Sequence, residues 1–323
     1  MIIFRALSLP LPFLLGPMLA CLVAALLGLR MQTYGALTDT MRTILGVAVG
    51  ASITPAVVGQ LPSMALSLML TPLFLIAAGV AGYPFLRRVC GFDKATSFYA
   101  AMPGGLQDML IFGEEAGGDP RALSLLHATR ILLIVSIVPA VLTLAFDVNL
   151  SGAPGAPITQ VSPLNLALMA GAALVGWRVA KRIGLFGASI LGPMVCAAAL
   201  SVTGIISERP PAEAIQAAQF FIGIVVGAKY SGITLGEVRR IVTSGLGHGA
   251  ILAILAVIFA EIIVLSGLAP PLDAFLAFSP GGQAEMAVIA ILSGADIAYV
   301  IVHHLARIVL VITCAPLVFR WLR

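Results

Sequence analysis

Residues 103–109 read PGGLQDM, and 177 positions later residues 280–286 read PGGQAEM. The register between them holds without a gap: Asp108 falls on Glu285, Met109 on Met286, Gly117 on Gly294, Asp119 on Asp296, His127 on His304, Arg130 on Arg307 and Pro139 on Pro316. Eleven of the 37 aligned positions from 103 to 139 are identical, several of them polar, so shared hydrophobicity does not explain the match. Upstream, Gly46 and Gly50 fall on Gly223 and Gly227, and Gly16-Pro17-Met18 matches Gly192-Pro193-Met194 after a slip of one residue. The chain is read as a duplicated unit.

Its 323 residues are 60% hydrophobic and 10% charged, with a mean hydropathy of +1.09, whereas a soluble domain carries about 25% charged residues. That is the composition of an integral membrane protein. At about 20 apolar residues per crossing helix, the length allows about nine to eleven spans and leaves nothing for a folded soluble domain. A tethered enzyme or DNA-binding module is excluded. The 18 Lys and Arg against 14 Asp and Glu, a net charge of +4, are to be read against the positive-inside bias rather than as a nucleic-acid signal. The four cysteines lie far apart and read as small buried apolar residues. Arg5 before the apolar run 11–29 resembles a signal peptide, but no cleavage site follows, so the run is taken as the first span.

Apolar runs and breakers give spans at 11–29, 40–58, 64–86, a Pro-Gly-Gly-interrupted stretch at 95–115, and 120–146. The second half repeats them at 188–206, 213–230, 243–267, 272–294 and 296–320, and a further helix at 164–181 joins the halves. The organisation is therefore residues 1–147 as the first membrane repeat, 148–187 as loop and linker helix, and 188–323 as the second repeat. If both interrupted stretches cross, Arg87, Arg88 and Lys94 lie opposite Arg178, Lys181, Arg182, Arg239 and Arg240, and neither side is enriched. If each is a re-entrant hairpin, these residues share one face with Arg30, Arg42, Arg320 and Arg323, leaving Arg5 and Arg209 opposite, as the positive-inside rule requires. The expected fold is an all-α polytopic membrane protein with about nine crossing helices and two re-entrant or broken Pro-Gly-Gly helices. Five crossings then precede the second repeat, so the repeats are inverted.

Inverted repeats interrupted at equivalent points by Gly and Pro point to a secondary transporter, because unwound backbone at membrane depth belongs inside protein or along a watery cavity. The candidate substrate- and ion-binding residues are Pro103, Gly104, Gly105, Asp108, His127 and Arg130, with Pro280, Gly281, Gly282, Glu285, His304 and Arg307. A half-helix N-terminus suits an anion and free carbonyls suit a cation, whereas a plain tight turn would need neither. A carboxylate at the bilayer centre costs about 2.5–3.5 kcal/mol. Paired with Arg, Asp108 or Glu285 is structural; unpaired, either binds a proton or Na⁺. His127 and Arg130 sit one turn apart on one helix face, as do His304 and Arg307. They serve either as counterions to the two acids or as a cationic rim for an anionic solute. His303 has Leu126 as its counterpart, so the second site holds an extra imidazole that titrates near neutrality. That predicts a pH-responsive second half, with Arg130 the more permanent contact. Asp119 and Asp296 read as helix N-caps. Lys229 reads as an interfacial lysine, and Glu261 as either a buried partner or an interfacial acid. The glycine pairs Gly46/Gly50 and Gly223/Gly227 allow close helix approach, within the chain or in a homodimer. His248 has no neighbour at metal-ligand spacing and is given no role.

The motifs LLGPM and ILGPM, LGVAVGA and IGIVVGA, and MPGGLQDM and SPGGQAEM resemble the membrane AbrB-type family with its duplicated domain, over nearly the whole chain. The first unit departs from this layout in lacking a counterpart of helix 164–181. Members carry labels such as regulator of gene expression and ammonia monooxygenase, and the layout is remotely similar to inverted-repeat secondary transporters. Neither label fits the residues. A DNA-binding regulator needs a basic soluble recognition element, and a monooxygenase needs a cofactor whose His, Cys, Asp and Glu cluster is missing from the sequence. No enzymatic activity, no cofactor and no direct nucleic-acid contact are expected. The first expectation is a secondary active transporter of a small solute, an anion among the candidates, coupled to H⁺ or Na⁺, working by alternating access from a midplane site in the cell's inner membrane. The alternative is a non-transporting membrane sensor acting indirectly on gene expression.

Overall fold

A computed structural model describes residues 11–148, 150, 153–185 and 187–321; Arg5 and Arg323, placed on opposite faces above, lie outside them. The described residues form helices and no strand. Numbered here in chain order, the main helices are α1 Pro12–Leu26, α2 Gly35–Gly50, α3 Pro62–Val89, α4 Lys94–Ala101, α5 Leu106–Glu115, α6 Pro120–Ala145, α7 Pro163–Arg182, α8 Ala188–Val202, α9 Ala212–Ala228, α10 Arg239–Leu265, α11 Pro271–Phe278, α12 Gln283–Ser293 and α13 Ile297–Trp321. Five of them, α3, α6, α7, α10 and α13, are long and apolar enough to cross a membrane, and α1, α8 and α9 are shorter apolar helices. The expected span 40–58 is shorter than read: α2 stops at Gly50 and a separate turn of helix starts at Pro55. Proline has no N–H to continue a helix and pushes the residue before it out of helical geometry.

Both Pro-Gly-Gly stretches break where the sequence says they should. Met102 and Ser279, 177 positions apart, leave the helix with the same extended backbone, φ −75°, ψ 127° and φ −59°, ψ 126°. The following prolines cannot donate the N–H that would close another helical turn. α4 is started by Asp93, whose carboxylate accepts from Thr96 N–H at 2.8 Å, an N-cap worth about 1 kcal/mol. Thr96 Oγ1 in turn accepts from Asp119 N–H at 2.8 Å. The segment just before α6 thus returns to the first turn of α4, so α4 and α5 form a hairpin that enters and leaves at one end.

The chain divides into two compact units whose segments interleave. One unit comprises Met1–Pro62, Pro139–Ser231 and Ala284–Ala298, and small residues hold its helices together. A side chain at Gly46 or Gly50 of α2 would strike the carbonyls of Ile190 and Met194 on α8, and one at Gly223 or Gly227 of α9 would strike those of Leu14 and Met18 on α1. In each pair a helix of one repeat packs on a helix of the other. Ile190 and Met194 match Leu14 and Met18 with the one-residue slip found in the GPM motifs. The glycine faces are therefore used in internal packing.

The second unit comprises Ser63–Val138, Gly232–Gln283 and Tyr299–Arg323. Its apolar core gathers Phe74 of α3, Ala256, Ala260 and Ile263 of α10, Ala274 and Phe278 of α11 and Tyr299 of α13. Phe74 and Phe278 meet edge to face, ring centroids 5.5 Å apart, an arrangement favoured by the ring quadrupoles. At one polar end Arg240 donates to the Gly91 carbonyl at 3.0 Å and lies 4.9 Å over the Phe92 ring. Nearby, Arg121 donates to the Gly232 carbonyl and pairs with Glu237. Arg87, Arg240 and Arg121 accordingly sit at the same end as the entry of the α4–α5 hairpin, since Arg87 donates to the Phe92 carbonyl at 2.7 Å.

Candidate functional site

The end of a half-helix leaves carbonyls without an intrahelical partner, and in the second unit cationic side chains from the next long helix satisfy them. On α6, Arg130 Nη1 donates to the Met102 carbonyl at 3.1 Å and Nη2 to the Gly104 carbonyl at 3.0 Å. On α13, Arg307 Nη1 donates to the Ser279 carbonyl at 3.0 Å and Nη2 to the Gly281 carbonyl at 3.1 Å. Every donor and every acceptor is displaced by 177 positions from its counterpart. The planar guanidinium with donors at fixed spacing suits two adjacent carbonyls better than an ammonium would, and its charge meets the negative end of the half-helix dipole. Both arginines are buried, at 2% and 3% exposure, and lie within electrostatic reach of one another. The two clamped breaks therefore converge within this unit. Gly104 is pressed against Val311 of α13 and Met109, leaving no room for a side chain.

The histidines differ between the halves. His304 Nε2 lies 3.0 Å from the Leu276 carbonyl, so that nitrogen carries the proton, and Nδ1 accepts a long contact of 3.4 Å from Arg307. These partners fix His304 as the neutral Nε2–H tautomer. Tyr99, the counterpart of Leu276, has its backbone near His127, but neither His127 nitrogen reaches hydrogen-bond geometry. Instead His127 lies within electrostatic reach of His248 of α10. His248 is buried, with its ring edge against Gly82 of α3 and Ala101 close by.

Asp108 occupies the first turn of α5. It is 6% exposed, its Oδ2 meets no hydrogen-bond partner, and it makes no ion pair among the described residues. Glu285 is also buried, in the first turn of α12, and belongs to the other unit. Pro103, Gly104, Pro280 and Gly281 are buried, while Gly105 and Gly282 at the ends of the breaks are partly exposed. The carbonyl partners of the two arginines add a role to the two weighed from the sequence, counterion and cationic rim. Asp119 is the expected N-cap, accepting from Arg121 N–H at 2.9 Å and Ala122 N–H at 3.2 Å. Lys229 and Glu261 are exposed. Sequence reasoning missed His248 and the carbonyls of Met102, Gly104, Leu276, Ser279 and Gly281. The carbonyls have no side-chain signal, whereas His248 stands at the repeat position of Thr71, another buried polar residue.

A family model described as transition state regulatory protein AbrB matches residues 13–323. The chain is 26% identical over 334 aligned positions to "Putative regulator AbrB" of Escherichia coli (strain K12), covering 99% of this chain and 92% of that one. It is 28% identical over 299 positions to "Uncharacterized protein YhjN" of Bacillus subtilis (strain 168), covering 86% of this chain and 77% of the relative.

Proposed function

The chain belongs to the AbrB family, and from that premise we propose that it is a secondary active transporter of a small anionic solute, lodged in the cell's inner membrane. The observation that carries this reading is the pair of broken helices, each clamped by a buried arginine at the same register, with the buried carboxylate of Asp108 in the first turn after the first break, outside any ion pair among the described residues. Two guanidiniums held close together in a low-dielectric interior repel unless negative charge is near. The half-helix carbonyls supply part of it. The remainder comes either from ionised Asp108 or from an anionic solute, and this competition couples the solute to the ion. When Asp108 takes up a proton or Na⁺, the arginine pair is left to the anion. When the ion leaves, the carboxylate displaces it.

The hairpin of α4 and α5, and the contact of Arg240 with Gly91, support the re-entrant topology in which the repeats are inverted and access alternates across the membrane. The protein acts without chemistry on its solute. A second reading, a non-transporting membrane sensor that affects gene expression indirectly, is favoured by the name of the Escherichia coli relative. Both are tested on purified protein by a thermal-shift screen over small anions, followed by uptake of the stabilising anion into liposomes under H⁺ and Na⁺ gradients. Gradient-driven accumulation is expected. Stabilisation without uptake under any gradient would favour the sensor.

A further inference from the structure

One buried histidine of the second unit lies outside the arginine clamps and meets oxygen at both ring nitrogens. His303 Nδ1 is 2.8 Å from the Tyr299 carbonyl, one turn back on α13, and Nε2 is 3.0 Å from Ser67 Oγ on α3. A carbonyl only accepts, so Nδ1 carries a proton. Ser67 Oγ is also 2.9 Å from the Met64 carbonyl, and its single hydroxyl proton cannot serve both Met64 and His303. With a neutral ring, Nε2 is a bare acceptor, and either it or the Met64 carbonyl goes without that proton. With an imidazolium ring, Nε2–H donates to Ser67 Oγ, Ser67 O–H donates to Met64, Nδ1–H donates to Tyr299, and all three contacts are hydrogen bonds.

Burial at 1% exposure works against a charged ring, and the groups packed on it offset part of that cost. The Tyr299 ring lies 4.1 Å and the Phe278 ring 5.8 Å from the imidazole, centroid to centroid, and aromatic faces attract a cation. Among titratable and charged groups, α13 itself brings Tyr299, His304 and Arg307. The Arg307 guanidinium is turned to the Ser279 and Gly281 carbonyls, and His304 is held neutral by its own partners. From the neighbouring helices, α3 presents Ser67 and α11 presents Phe278, neither of them charged.

We propose that His303 is a proton-binding site, in which one proton taken from water at Nε2 ties α3 to α13 through Ser67. Release of that proton returns the ring to neutrality and leaves Ser67 to choose between two acceptors. In the other repeat the corresponding residues are Leu126 and Ser244, so the device exists once. It deepens the transporter reading, on which it rests only for the use made of the proton, by adding a second titrating group to Asp108.

The test is ¹⁵N-histidine NMR of the full chain in lipid bilayers, with His303 assigned by its loss in His303→Gln. Both ring nitrogens of His303 should be protonated at about pH 5, with one proton released by about pH 9. Ser67→Ala should lower the midpoint by about one pH unit, the worth of one hydrogen bond to a charged group, and Ser67→Thr should restore it. A single neutral tautomer throughout, or a midpoint indifferent to Ser67→Ala, overturns the proposal. No substrate or uptake enters this readout, so it stands or falls separately from the transporter reading.

Discussion

Arg130 and Arg307, 177 residues apart, hold equivalent carbonyls: Met102 and Gly104 for the first, Ser279 and Gly281 for the second. The arginine contacts match between the halves, and the neighbouring histidines differ. Arg130→Lys and Arg307→Lys keep the charge but lose the two-armed geometry, leaving a buried carbonyl short of a donor. Each variant should lose about 1–3 kcal/mol of stability. Thermal unfolding in detergent checks this, and a silent Arg130→Lys beside a damaging Arg307→Lys would mean that the matched geometry does not carry matched energy.

Asp108 is not a structural partner in the way the arginines are, because its Oδ2 is unengaged. Asp108→Asn should therefore fold with little change in melting temperature and yet lose gradient-driven uptake in liposomes, while retaining solute exchange. Glu285→Gln should also uncouple uptake. Wild-type accumulation by both variants, with unchanged pH and Na⁺ dependence, would remove these acids from the site.

Much of this was legible in the sequence because polar residues at membrane depth are scarce and therefore informative. The repeat register, the breaks at Pro103 and Pro280 and the burial of the His/Arg pairs all follow from identities at fixed spacing. What stayed hidden is what the backbone does. An unpaired carbonyl at a helix end looks the same in every sequence, so Arg130 could be read as a counterion or a rim but not as a clamp. His248 has no neighbour at metal-ligand spacing, and its burial beside Gly82 depends on the packing of α10 against α3. The split of residues Ala284–Ala298 away from the rest of the second repeat, which leaves Glu285 in a different unit from Arg307, has no local signature at all.

Close packing through glycine makes a third prediction. Cβ atoms added at Gly50 and Gly227 would collide with the Met194 and Met18 carbonyls, with Ala197 and Cys21 also in the way. Backbone cannot step aside as a flexible side chain can. Gly50→Ala and Gly227→Ala should each cost about 1–3 kcal/mol, whereas Gly59→Ala, where a Cβ meets nothing, should be near neutral. Equal melting temperatures for all three proteins would contradict the packing.

Glu237 supplies the pH prediction. Hydrogen bonds from the Thr234 hydroxyl and backbone N–H, with help from Arg121, hold its carboxyl below the ordinary value of 4.5. A carboxylate with a depressed value in the folded state contributes stability that is present above the unfolded value and is lost as pH falls through the folded one. Glu237→Gln should thus melt slightly lower than wild type near neutrality, and the difference should close on acidification below pH 4.5. The group is partly exposed, so the effect is small and weakens with salt. A difference that grows toward acid pH would have the wrong sign.

The topology gives the last prediction. Arg240 reaches Gly91 and Phe92, one short turn after Arg88, and an even number of crossings must separate residues that share an end. The helices between Arg88 and Arg240 are the α4–α5 hairpin and then α6, α7, α8 and α9. If α6, α7, α8 and α9 each cross, a re-entrant hairpin makes the crossings four and a spanning one makes them five. In the first unit, Ser162 N–H donates to Glu208 and Ile158 N–H to Glu213, so the start of α7 shares an end with the loop holding Arg209. That loop follows α7 and α8, which return the chain to the same end. Single cysteines at Arg88 and Arg240, introduced after removal of the four native cysteines, should react with a membrane-impermeant maleimide only from the cytoplasmic side, and a cysteine at Arg209 only from the opposite side. Reaction of the first two from opposite sides would exclude the hairpin arrangement and with it the inverted repeat.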